Sequence, residues 1–104
     1  MIYVFDVEVF AYDWIVIFKN VASGEYTIIL NDNEAVKQFM ANDPLLGGFN
    51  NKWYDNHILK AILADADNST VKEINDFIIG GRNGWEHSWL SQQRGIWFNS
   101  FDLS

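Results

Sequence analysis

The opening of this chain leaves few choices of fold. Ile2 to Phe10, Trp14 to Lys19 and Tyr26 to Leu30 are three runs rich in β-branched and aromatic residues, a composition suited to a pleated, half-buried surface. Ala11-Tyr12-Asp13 is short enough for a hairpin connection, and Ala22-Ser23-Gly24-Glu25 makes a second turn, because glycine and small polar residues supply the backbone freedom and local hydrogen bonds that turns need. The predicted start is therefore an antiparallel three-stranded meander.

Helical spacing takes over after it. Asn31 or Asp32 is placed to cap a helix over Asn33 to Met40, in which Val36, Phe39 and Met40 form the apolar stripe. Asn42-Asp43-Pro44 stops it, since the residue before proline is steered away from helical angles. Leu45 to Phe49 has the pattern of a short buried strand, and Gly47-Gly48 predicts the close approach of another backbone. Asp55 to Leu63 follows as a helix with His57, Ile58, Ala61 and Ile62 on one broad face.

Further along, Thr70-Val71-Lys72-Glu73 has capping-box spacing and opens a helix that turns Val71, Ile74, Phe77 and Ile78 inward, until Gly80-Gly81 ends it. Arg82 to Arg94 is less periodic and is expected to be loop with a short helix. Ile96 to Phe101 is a last strand candidate. The sequence has no repeats and no low-complexity tract.

Composition narrows the class. With 104 residues, 49% hydrophobic and 16% aromatic, the chain has enough apolar surface for one modest core and too much for a disordered segment. Its net charge of -7 disfavours binding nucleic acid by long-range attraction. It leaves open a nuclease that binds cations, because a bound ion reverses the local sign that a phosphate meets. The absence of cysteine rules out disulfides and thiolate metal sites and fits a cytoplasmic protein. Met1 leads straight into a strand pattern without a leader sequence, and no apolar run reaches membrane-spanning length.

The chemistry-bearing residues fall in two short segments. Asp6 and Glu8 flank Val7 at the end of an apolar run, so on a strand their carboxylates share a face. Asn50-Asn51-Lys52-Trp53-Tyr54-Asp55 follows another strand-like segment, Leu45 to Phe49, downstream. Hard divalent cations take oxygen ligands, and a carboxylate pair on a strand offers them. Each residue also has a plain structural reading. Asp6 and Glu8 can be solvated acids on an open strand face, Asp55 a helix N-cap, Asn50 a residue that fixes its loop, and Tyr54 and Phe10 packing residues. His57 and His87 lack ligand spacing and are read as structural or surface residues.

Taken together, Phe5-Asp6-Val7-Glu8 resembles the first motif of the DEDD-superfamily 3′ to 5′ exonucleases, Asp-x-Glu on the first strand. Asn50-x-x-x-Tyr54-Asp55, preceded by Gly48-Phe49, resembles the second motif of the proofreading domains of family B and phage-type DNA polymerases. The resemblance implies an α/β, ribonuclease H-like mixed sheet with an antiparallel three-stranded start and flanking helices. It implies hydrolysis of phosphodiester bonds at a single-stranded DNA 3′ end by two Mg²⁺ or Mn²⁺ ions, with Asp6, Glu8 and Asp55 as metal-holding catalytic acids. Asn50, Phe10 and Tyr54 are its implied substrate contacts, Phe10 by stacking on the terminal nucleotide.

The family's third motif, a Tyr or His shortly before a final Asp on a late helix, has no counterpart here, and Asp102 follows a strand pattern without such a partner. The expectation is that residues 1–104 form a single partial exonuclease domain, truncated at the C-terminus. The parent protein would then be a phage-type polymerase, with its polymerase domain downstream, or a stand-alone nuclease, and apolar surface where helices are missing would promote self-association. The alternative expectation is a non-catalytic ribonuclease H-like module that binds nucleic acid or protein.

Overall fold

A computed structural model describes residues 1–103. The three opening runs form β1 (Ile2–Val9), β2 (Trp14–Asn20) and β3 (Tyr26–Leu30), joined as an antiparallel meander. β1 stops one residue before Phe10, whose amide instead donates to the carbonyl of Asp13 at 2.7 Å and closes the turn. Helix α1 (Asn33–Met40) is capped by Asp32, whose carboxylate accepts from the Ala35 amide. Asn31 has a different role. At φ 56° it turns the chain, and its side chain accepts from the Trp14 amide at 2.8 Å.

The crossover through α1 returns the chain to the other edge of β1, so β4 (Leu45–Gly48) runs parallel to β1. Helices α2 (Asp55–Leu63) and α3 (Asn68–Ile79) follow, then a 3-10 turn at Gly84–Glu86, the short helix α4 (Ser88–Ser91) and β5 (Ser100–Asp102), parallel to β4. The sheet order is β3-β2-β1-β4-β5. The chain is thus α/β, with a five-stranded mixed sheet that begins antiparallel. Among the described residues, no helix is long and apolar enough to cross a membrane.

Period-two alternation sorts the sheet into two unlike faces. Phe5 and Val7, Trp14, Val16 and Phe18, Ile29 and Leu46 point to the side where α1, α2 and α3 bring Val36, Ile58, Leu59, Ile62, Val71 and Ile74, and all are buried together. Phe18 stacks on Phe39 of α1 with ring centroids 3.9 Å apart, a contact that adds to the burial of both rings. The other face is uncovered. Register puts Asp6 beside Ile17 and Glu8 beside Ile15, with Ile28 and Leu30 beyond them on β3. Ile28 is 64% exposed.

Four details depart from the sequence expectation. Helix α3 starts two residues before Thr70, because Asp67 is the cap and accepts from the Thr70 amide at 2.8 Å. Glu73, the expected capping-box acid, instead meets Nε2 of the buried His87 at 3.0 Å. Of the last strand candidate, only Ser100 and Phe101 pair, joined by Asp102, while residues 96–99 lie outside any strand. The glycines of β4 admit side chains more than backbone: a Cβ on Gly47 would stand 2.6 Å from the Phe101 ring, and one on Gly48 3.0 Å from Asn51.

Candidate functional site

β4 pairs with β1 only as far as Val4. Beyond that point the edge of β1 that faces β4 pairs with no strand among the described residues, which leaves a notch in the sheet beside Asp6 to Val9. In open α/β sheets the carboxyl ends of parallel strands are the ordinary place for a ligand crevice. Asp55 reaches this edge, and Asp6 lies near enough for its charge to act on it.

Asp55 enters from the helical side. It is the first residue of α2, preceded by Tyr54 in the cap position with no side-chain cap bond. It is not the helix N-cap; its Oδ1 reaches across the notch and accepts from the Val7 amide at 3.2 Å. That contact joins residues 48 positions apart and satisfies a backbone donor which the short β4 leaves unpaired. At the start of a helix, the carboxylate also faces favourable amide dipoles.

Burial still dominates its titration. Asp55 is only 8% exposed, and its pKa is pushed up from 3.8 to about 6, first by loss of solvent and then by the Asp6 charge, against the lowering effect of the Val7 bond. Asp6 and Glu8 come from the open face and are exposed. Their charges reach the same region: burial raises the Tyr54 hydroxyl to about 12, helped by Asp55, Asp6, Asp76 and Glu8 in that order. Tyr54 thus stays neutral, and its hydroxyl donates to Asn75 Oδ1 at 2.5 Å.

Asp6, Glu8, Tyr54 and Asp55 therefore share one electrostatic neighbourhood. Among the described residues, however, no group of three or more His, Cys, Asp or Glu side chains is gathered closely enough to hold a metal ion. Mg²⁺ keeps several waters and binds through one or two carboxylates together with substrate phosphates, so two acids such as Asp55 and Asp6 would be a sufficient protein share.

The other implied residues have structural roles of their own. Asn50 adopts φ 56°, and its amide donates to Asp102 Oδ1 at 2.9 Å, which ties the loop before α2 to β5. Phe10 lies just past the end of β1 and is half exposed. Asn51, which has no part in either motif, is 1% exposed and donates to Asn56 Oδ1 at 3.2 Å, while its own Oδ1 is buried without a partner among the described residues. The Asn-Asn pair before a helix is its only sequence signal.

Comparison of the chain with family models, with curated proteins and with solved structures finds no match. The functional reading rests on the residues themselves.

Proposed function

We propose that this chain carries the first two acidic motifs of a metal-dependent 3′ to 5′ exonuclease domain of the ribonuclease H-like class, acting on single-stranded DNA ends. The observation that supports it most is Asp55. The second motif delivers this buried carboxylate to the β1 backbone at Val7, between the two acids of the first motif. The five-stranded sheet, antiparallel from β3 to β1 and parallel from β1 to β5, is compatible with that fold.

Asp6 and Asp55 would hold the cation, with Glu8 beside it. A bound divalent ion supplies a Lewis acid for the phosphoryl oxygen and a water acidic enough to attack at neutral pH. Val7 fixes Asp55 through its amide, so that carboxylate is oriented before any ligand arrives. Phe10 stacks on the terminal base, Asn50 contacts the strand from its tight turn, and Tyr54 supports Asp55 from the helical side.

The test is shortening of a 5′-labelled single strand from its 3′ end in Mn²⁺. Stepwise products are expected at a low rate, because the third motif of such domains has no counterpart in this sequence. Asp55→Asn should lower the rate by about 100-fold or more, since even residues that only support a ligand cost up to that amount. No shortening at any metal concentration, or equal rates in Asp55→Asn, would leave the non-catalytic module as the better account.

A further inference from the structure

Along another face of α2 lies a second concavity of about 220 Å³, between α2, the 3-10 turn and the segment that leads into β5. Lys52, Asn56, His57, Lys60, Trp85 and Trp97 are among the residues that line it, and no Asp or Glu lines it. In a chain with 14 acidic and 7 basic residues, two lysines meeting without a carboxylate is an inversion of the overall charge. Among the described residues neither lysine is in an ion pair.

The aromatic residues here are unusual in a different respect. Trp85 is 57% and Trp97 73% exposed, although large rings normally gain by burial. Trp85 is held in place by edge contacts, with ring centroids 4.7 Å from His57 and 5.4 Å from Trp53. Gly84 makes this packing feasible, because any Cβ there would stand 2.6 Å from the His57 ring.

His57 provides a third, independent observation. It is only 7% exposed, and its Nε2 is buried without a hydrogen-bond partner among the described residues. A buried polar atom without a partner in the chain is met by water or by a ligand group.

We propose that this pocket binds one phosphorylated nucleotide of a single strand, with its base stacked on an exposed indole and its phosphate between Lys52 and Lys60. Rings and cations together distinguish this ligand from the alternatives. A sugar would use the indoles without the lysines, and an acidic peptide the lysines without the indoles. Aromatic platforms beside cationic side chains are the general means of holding single strands without reading their sequence. The pocket stands on its own residues, whether or not the carboxylates cleave DNA.

The experiment is binding of a fluorescein-labelled octadeoxythymidylate to the intact chain in EDTA at low salt, followed by anisotropy. Because metal is absent, the outcome is separate from that of metal-dependent cleavage. Trp97→Ala should weaken binding by about 5- to 150-fold, as expected for loss of one stacked base. Replacing Lys52 and Lys60 together by Ala should reduce the magnitude of the logarithmic salt slope by about 0.7, the value for one phosphate no longer neutralised. Both sites are at the surface, and unchanged circular dichroism would establish that the variants fold. Absence of binding, wild-type affinity in both variants, or competition by oligoglutamate as strong as by unlabelled oligonucleotide would overturn the proposal.

Discussion

The two faces of the sheet are built from similar residues and do opposite things. On the covered face Phe5, Val7, Val16 and Phe18 are sealed by three helices, whereas on the open face Ile15, Ile17, Ile28 and Leu30 surround Asp6 and Glu8 without any cover from the described chain. Strand alternation alone creates the difference: a shift of one residue would exchange the acids for Phe5 and Val7. The covered face stabilises the fold, which leaves the open face free to present chemistry. Asp55 reaches from the helical side to the β1 edge.

The largest expected effect lies on the covered face. Phe18 is fully buried and stacked on Phe39, so Phe18→Ala should destabilise the chain by about 3 to 5 kcal/mol, the usual cost of removing a core ring and leaving a cavity. Urea denaturation measures it. A loss below about 1 kcal/mol would mean that the covered face is not the main source of stability.

A smaller effect belongs to the residue that joins the faces. Because the folded pKa of Asp55 is raised, to about 6 from 3.8, the folded state holds a proton that the unfolded state has already released within that window. Its stabilising contribution is full below the unfolded value and is lost as pH rises through the folded one. In EDTA, wild type should therefore lose up to about 3 kcal/mol relative to Asp55→Asn between pH 4 and pH 7. Asparagine can still accept from Val7. Parallel stability curves for the two proteins across that range would show that Asp55 is not strained by burial and Asp6.

The smallest effect lies on the open face. Ile28→Thr removes apolar surface that is already in water, and it should change stability by no more than about 0.5 kcal/mol. Sedimentation tests the same residue in another way: if copies associate through the bare face, Ile28→Thr should weaken that association. A loss of stability comparable with that of Phe18→Ala would mean that something covers β3.

Much of this contrast is legible in the sequence because it depends on local rules. The period of two in β1 to β3, the apolar stripe of α1 and the turn residues between them specify elements whose partners are close along the chain. The bounds of α2 follow from its helical spacing. The start of α3 is harder to read, since Asp67 and Thr70 both precede helical residues and only tertiary contact decides which caps. Glu73 could satisfy Thr70's turn or His87, and burial of His87 decides for the latter.

The candidate site is legible in part. Residue types at positions 6, 8 and 55 suggest carboxylate chemistry, but spacing along a chain carries no information on the Val7 contact or on the raised pKa of Asp55. The lysine-tryptophan pocket has no sequence signature at all, because it gathers residues from α2, the 3-10 turn and the segment before β5. His57 lacks ligand spacing, and its importance emerges only from burial and an unpartnered nitrogen.

Asp55 and Asp6 are proposed to hold a cation together at the notch. Thermal unfolding at pH 7.5 with increasing Mg²⁺ tests it most directly, since a ligand that binds only the folded state must raise the melting temperature by mass action. A saturable rise is predicted for wild type, and none for Asp55→Asn or Asp6→Asn. A melting temperature unchanged at millimolar Mg²⁺, or raised equally in all three proteins, would contradict it.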